Sequence, residues 1–338
     1  MPPILFQGSD KEVSNLAGEK SGKKIRSTAV FGDYLIMLAV PCVIAVRFYG
    51  FNALSTLAVC VASAVACDIL ASLIIHKHYF TADLSAICSG LMIALMMPAG
   101  VPVYVCIIAC AFAVLAVKIP FGGGMRTPFV PAAAGFAFAA ICFRDLVFTY
   151  SAGRNVLNGT SLGAMLNRGI FMRINFPVFL DMITGNYAGP MGTTCAVVFL
   201  GCLIFLLIRR PSCLPAAGGF LGACIVFSYI FPRTSGSFFL RPLPELAAGS
   251  LLFAAVFFLT NPSTLPKHTA NKAVYGVFTG IVTMVMRKLG IFEEPVCFAV
   301  LIGNAFSPLL DIATDRIRLI IRSKQPVEEQ EEEVAQDE

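Results

Sequence analysis

The chain has 338 residues, 57% of them hydrophobic and only 13% charged, with a formal net charge of +5. A soluble domain holds about 45–50% apolar and about 25% charged residues, so the composition excludes a soluble globular enzyme and calls for an all-α integral membrane protein. The basic excess is too thin for a nucleic-acid surface, and no nucleic-acid partner is expected.

The N-terminal segment 1–27 is polar and basic, so no cleaved signal peptide is expected. Ten apolar segments follow, at 29–48, 52–75, 82–98, 101–119, 128–144, 191–208, 213–231, 244–260, 273–289 and 296–317, each near the ~20 residues that cross a hydrocarbon core. Residues 144–190 form the one long polar connection, and 319–338 a tail that ends in an acidic run. Lys and Arg orient the chain. With the N-terminus in the cytoplasm, 16 of the 25 basic residues fall inside, including Lys118, Arg126, Arg209, Arg210 and Lys267. Arg154, Arg233 and Arg287 are among those left outside. Both termini are therefore expected in the cytoplasm and the 144–190 loop outside.

Ten segments divide into two fives, 28–143 and 191–318. Five is odd, so the second set enters with inverted topology, an arrangement found in many transport folds. Asp83-Leu-Ser-Ala opens the third segment and Glu245-Leu-Ala-Ala the eighth. Pro98 ends the former and Asn261-Pro262 the latter, and each is followed within a span or two by a basic, interrupted hairpin. Gly and Pro break helices, and a break inside a bilayer must have its backbone groups satisfied by protein or ligand.

In the first hairpin, Gly122–Pro131, the glycines permit close backbone approach and consecutive N–H groups can form an anion nest. Arg126 adds a fork for phosphate or a flavin carbonyl, although a plain basic turn reads equally well. The second, Asn261 to Lys267, offers polar side chains and a lysine, and again a plain loop competes. Asp33, Asp68, Asp83, Glu245 and Asp311 lie in or beside spans, where a carboxylate needs a partner or an ion. The 12 cysteines are scattered singly without cluster spacing, and three histidines are too dispersed for a haem or zinc site. No metal site is expected. In the outer loop, Asn158-Gly159-Thr160-Ser161 fits a glycosylation acceptor, a helix cap or an exposed attachment hydroxyl, and the residues alone favour the cap.

Taken in order, several blocks resemble one family of membrane proteins: the D component of the Rnf ion-translocating electron-transport complex and its homologue, the B component of the sodium-pumping NADH:quinone reductase. The blocks are Asp83-Leu-Ser-Ala through Pro98; Lys118, Gly122-Gly123 and Pro128–Ala132; Asn186–Ala196; Phe258–Thr264; and Phe298–Asn304 with Pro308–Asp311. The resemblance covers roughly residues 28–318. It implies a bacterial inner-membrane subunit, not catalytic alone, that works with other membrane and peripheral subunits of an electron-transport complex driving Na+ or H+ movement. It also implies FMN held through a phosphoester on Thr160, and leaves room for a second, non-covalent flavin such as riboflavin. Gly122, Gly123, Arg126, Asn261 and Lys267 are the candidate flavin contacts. The chain departs from the family pattern at Leu157–Gly159, Thr127, Val130, Thr193 and Asn261. No dinucleotide fingerprint is present, so NAD itself is not an expected ligand. A flavin-free scaffold and a small-solute channel or transporter are the alternatives.

Overall fold

The computed structural model describes residues 9–74, 84–123, 125–150, 161–167, 176–233, 241–247, 249–290 and 292–322. Asp83, Gly124, Thr160 and the acidic tail fall outside these residues. Every regular element among the described residues is helical, as an apolar chain must be when lipid offers its backbone no hydrogen bonds.

The first half comprises α1 (Ser9–Tyr49), α2 (Phe51–Ile74), α3 (Leu84–Met96), α4 (Val103–Ala111, continued as a π-helical stretch over Phe112–Lys118) and α5 (Pro131–Cys142). The boundary expected at residue 27 lies within α1, which runs unbroken from the polar segment into the first span. The long connection carries three short helices: α6 (Arg144–Val147), α7 (Leu162–Asn167) and α8 (Phe176–Thr184). The second half holds α9 (Ala196–Arg209), α10 (Leu214–Ile230), α11 (Pro242–Ala247), α12 (Leu251–Phe257), α13 (Thr269–Leu289) and α14 (Val296–Arg322).

All ten expected apolar segments contain helix, but not all as a full span. Thr28–Tyr49, Phe51–Ile74, Pro211–Ile230 and Val296–Ile320 are long and apolar enough to cross a bilayer unaided, which makes the chain a multi-pass membrane protein. Shorter apolar helices fill the third, fourth, fifth and sixth segments, and α12 in the eighth is shorter still. The 13 residues of α3 rise about 20 Å, short of a hydrocarbon core about 30 Å thick, and the eighth segment is split into α11 and α12. Both half-length helices are sheathed by protein. All seven residues of α12 are buried, as is α3 from Met92 to its end.

The two halves follow one packing scheme. Taking α9, α10, α11–α12, α13 and α14 as counterparts of α1 to α5, in each half the first helix packs on the third, the second on the third and fourth, and the fifth on the third and fourth. Between halves, α5 meets α14 and α1 meets α9. Each contact thus joins an element to its own counterpart, as across a two-fold axis. The fourth–fifth contact repeats in detail. Gly135 of α5 sits where a Cβ would lie 2.5 Å from the Ala109 carbonyl, and Gly303 of α14 sits against the Thr279 hydroxyl and Tyr275. Small residues at such crossings let helices approach where lipid supplies no hydrophobic drive.

Charges sort to the two ends. At one end, here the hairpin end, Asp33 holds Arg209 at 3.0 Å and Arg210 at 3.2 Å, and Asp68 holds Lys118 at 2.9 Å. At the other, the loop end, Glu245 takes Arg233 at 2.7 Å and Arg287 at 3.2 Å. Three of the five acids singled out from sequence are therefore ion-paired.

Candidate functional site

The interrupted hairpins meet on one face of α14. Asn304, Ser307 and Asp311 stand at i, i+3 and i+7 and so share that face. With its amide oriented to satisfy both ends, Asn304 accepts a hydrogen bond from the Val130 N–H (3.1 Å) and donates to the Tyr275 hydroxyl (2.7 Å) and the Val300 carbonyl (3.3 Å). Ser307 donates to the Thr264 carbonyl at 2.8 Å. Asp311 accepts from the Lys267 backbone N–H at 3.0 Å and from the Asn271 amide at 2.9 Å. One helix thus grips Val130 of the first hairpin together with Thr264 and Lys267 of the second. Asp311 is accounted for here as a loop anchor.

The break after α12 is closed from the other half of the molecule. Its last carbonyls lack helical partners, and Tyr34 of α1 bonds Thr260 at the carbonyl (2.7 Å) and at the hydroxyl (2.8 Å). The end of α3 receives a matching cap. The Gly192 and Met191 N–H groups, just ahead of α9, donate to the carbonyls of Leu95 (2.9 Å) and Met97 (3.1 Å). Each half therefore closes the broken helix of the other with its own first helix, or the residues leading into it. Residues Gly189 to Thr194 are all buried and form a plug ahead of α9, which begins at Ala196.

Gly122 and Gly123 adopt positive φ, 93° and 71°. Their N–H groups return to the carbonyls of Ile119 and Lys118, both at 3.0 Å, and the Arg126 N–H bonds Gly123 at 3.2 Å. These donors terminate the α4 π-helical stretch. The expected anion nest is thus not assembled from them, because the helix end claims the same N–H groups. The Arg126 side chain is exposed beside this turn, close to Gly122. Asn261 is buried and works as a turn former: its side-chain oxygen accepts from the Ser263 N–H at 3.1 Å, and its carbonyl from Thr264 and Leu265, both at 3.2 Å. Lys267 is exposed. To an anionic or flavin ligand Arg126 and Lys267 offer side-chain cations at this end, rather than a backbone cradle.

Thr160 lies outside the described residues, directly before Ser161. Ser161, next to it, is buried; its hydroxyl caps α7 by accepting from the Ala164 N–H at 3.0 Å and donates to the Glu293 carboxylate. Thr193 and Thr194 are buried in the plug ahead of α9.

Sequence reasoning did not assign roles to Asn304, Ser307, Tyr34 or Glu294. The available signal was a polar side chain inside an apolar helix, which usually has a defined partner; it flags Asn304 and Ser307 without naming what they hold.

Relatives bear on the whole assembly. The chain is 28% identical to the D component of an ion-translocating oxidoreductase complex from Ectopseudomonas mendocina, over 83% of this chain and 88% of that one. It is 24% identical to the D component of the proton-translocating ferredoxin:NAD(+) oxidoreductase complex of Clostridium ljungdahlii, over 84% and 88%. It is 29% identical to the B component of a Na(+)-translocating NADH-quinone reductase from Pseudomonas paraeruginosa, over 66% of this chain and 58% of that one. A sequence profile matches residues 21–319, from within α1 to near the end of α14 and so across both halves. A match that takes in both interrupted hairpins and the helix that grips them makes this chain a member of the NQR2, RnfD, RnfE family.

Proposed function

We propose that this chain is the membrane subunit of an ion-translocating ferredoxin:NAD+ oxidoreductase complex, passing electrons across the membrane to drive Na+ or H+ movement. The observation that carries the reading is that its similarity to relatives named as the D component of such complexes runs through both halves and both interrupted hairpins. In this reading the chain lies in a bacterial inner membrane with both termini in the cytoplasm. Its repeats are 28–143 and 191–318, and it acts only with the other membrane and peripheral subunits.

Thr160, on the outer loop, carries FMN through a phosphoester, and a second, non-covalent flavin uses Arg126 and Lys267 at the hairpin end. A flavin supplies one- and two-electron transfer, while the protein supplies position and tuning. Arg126 and Lys267 are suited to neutralise negative charge there, Gly122 and Gly123 to shape the turn that presents Arg126, and Asn261 to hold the turn that presents Lys267.

The test is in-gel flavin fluorescence of the denatured protein, produced in a host with the flavin transferase, with Thr160→Ala, Ser161→Ala and Thr194→Ala alongside. Fluorescence lost only in Thr160→Ala is the expected result. Loss only in Ser161→Ala moves the attachment one residue, to the hydroxyl beside Glu293. No fluorescence in the unmutated chain ends the covalent-flavin proposal and leaves a scaffold or a channel.

A further inference from the structure

The turn between α13 and α14 carries two adjacent acids, each committed to a different part of the loop end. Glu294 is 1% exposed, and it accepts from the Ser250 N–H at 3.0 Å and the Ser250 hydroxyl at 2.7 Å. Gly249 has φ +65°, and any Cβ there would run into the Glu294 carboxylate, so the break between α11 and α12 folds around that acid. Glu293 is half-buried and accepts the Ser161 hydroxyl. One acid thus serves the membrane repeat and the other the long connection.

A capping hydroxyl in water finds a partner for its proton without help from the protein. Ser161 is 3% exposed, so while its oxygen takes the Ala164 N–H, its proton needs a protein acceptor. Glu293 supplies it, and a hydrogen bond to a carboxylate is about twice as strong as a neutral one. The Glu293 backbone also closes on this turn: a Cβ on Gly163 would lie 3.4 Å from its carbonyl oxygen. Leu162 and Leu166, one turn apart, are buried in a cluster with Met182 of α8 and Ala247 of α11. A helix of six residues is not stable by itself, so these contacts set where α7 starts and how it lies. Its polar anchor is Glu293, 132 residues away along the chain. Thr160 is one peptide bond from Ser161, so fixing the cap fixes the point from which that residue departs.

We propose that Glu293 is the positioning residue for flavin attachment: by holding the Ser161 hydroxyl it locks the start of α7 and presents the adjacent Thr160 hydroxyl for esterification. That step joins the Thr160 oxygen to phosphorus and breaks the phosphoanhydride of a flavin dinucleotide. The nucleoside monophosphate leaves, and the hydroxyl proton passes to water. Glu293 acts through Ser161 and not on the reacting atoms. The assignment rests on the covalent-flavin reading above.

The full-length chain, made without the flavin transferase, is given purified transferase and a flavin dinucleotide, and attachment is timed by in-gel fluorescence. Glu293→Leu, Ser161→Ala, their double variant and Glu293→Gln run alongside, and hydrogen exchange at the Ala164 amide is read on each flavin-free protein. Loss of one charge-assisted hydrogen bond is expected to speed Ala164 exchange and to slow attachment by about tenfold each, in both single variants. The double variant should be no slower than either, because both remove one contact. Glu293→Gln keeps an acceptor oxygen and should recover most of the rate. Unchanged attachment in Glu293→Leu overturns the assignment, as do losses that multiply in the double variant. So does a Glu293→Gln as slow as Glu293→Leu, which would mark a charge effect on the transferase. No flavin on the unmutated chain ends the covalent-flavin reading and this assignment with it, whereas normal attachment in every variant ends this assignment alone. Should Glu293→Leu fail to fold, Ser161→Ala decides: it removes the same contact by deleting one oxygen, and an unchanged rate there is the overturning result.

Discussion

The two halves share a packing scheme but bury their cations differently. Lys118 and Arg287 each stand near the end of the fourth helix of their half, and both are almost wholly buried, at 1% and 0% exposure. Lys118 faces Asp68, whose side chain is 23% exposed. Arg287 faces Glu245, 3% exposed and also held by Arg233 in a two-pronged contact at 2.7 and 2.8 Å. The first half therefore keeps its acid in touch with water or headgroups, and the second seals it. The broken helices differ too. The first half retains α3 in one piece, whereas the second divides its counterpart at Gly249-Ser250 and seats Glu294 in the gap. Repetition preserves the crossings of helices, and the polar chemistry diverges where the helices break.

Substitutions can break or sharpen this contrast. The largest effect is expected at Arg287. Arg287→Leu strands Glu245 with one partner in a sealed site, and breaking a buried pair costs about 3–5 kcal/mol. Lys118→Leu should cost nearer the ~1 kcal/mol of a solvent-accessible pair, because Asp68 can be hydrated. Thermal unfolding in detergent compares them, and equal losses would show that the asymmetry carries no energy. Next come the paired glycines. Gly135→Ala drives a methyl into a backbone carbonyl that cannot move away, so it belongs at the upper end of the ~1–3 kcal/mol of overpacking. Gly303→Ala meets chiefly a threonine hydroxyl that can rotate, and belongs at the lower end. A reversed order would place the tighter fourth–fifth crossing in the second half. Tyr34→Phe belongs among the mild effects, at about 1 kcal/mol. It should appear as faster amide hydrogen exchange at Thr264 and Leu265, with the α3 cap undisturbed.

Much of the architecture was legible because apolar runs are local signals. Pro98 and Asn261-Pro262 marked the ends of the half-length helices, and Lys118, Arg209 and Arg233 fell at ends consistent with the ion pairs they make. The division of residues 244–260 was harder to read. Gly249-Ser250 is a weak breaker within an apolar run, and what opens the helix there is Glu294, 44 residues further on. Glu293-Glu294 itself reads as a polar turn between spans, since nothing nearby in the chain indicates burial. The glycines at 122 and 123 mark a turn with positive φ, but a nest and a helix terminator use the same residue type. Only the direction of the N–H groups separates them.

The grip of α14 also has a mechanical side. Pro308 lies inside the helix, between Ser307 and Asp311. Proline donates no N–H, so the Asn304 carbonyl loses its usual helical bond and the rod is softest there. Asn304 and Ser307 are on one side of this joint, holding Val130 and Thr264, and Asp311 is on the other, holding Lys267. A tilt delivered from the loop end therefore moves the first two anchors as one rigid piece, while Lys267 can lag behind. The backbone that carries Lys267 is thus hinged relative to the anchors that hold Val130 and Thr264.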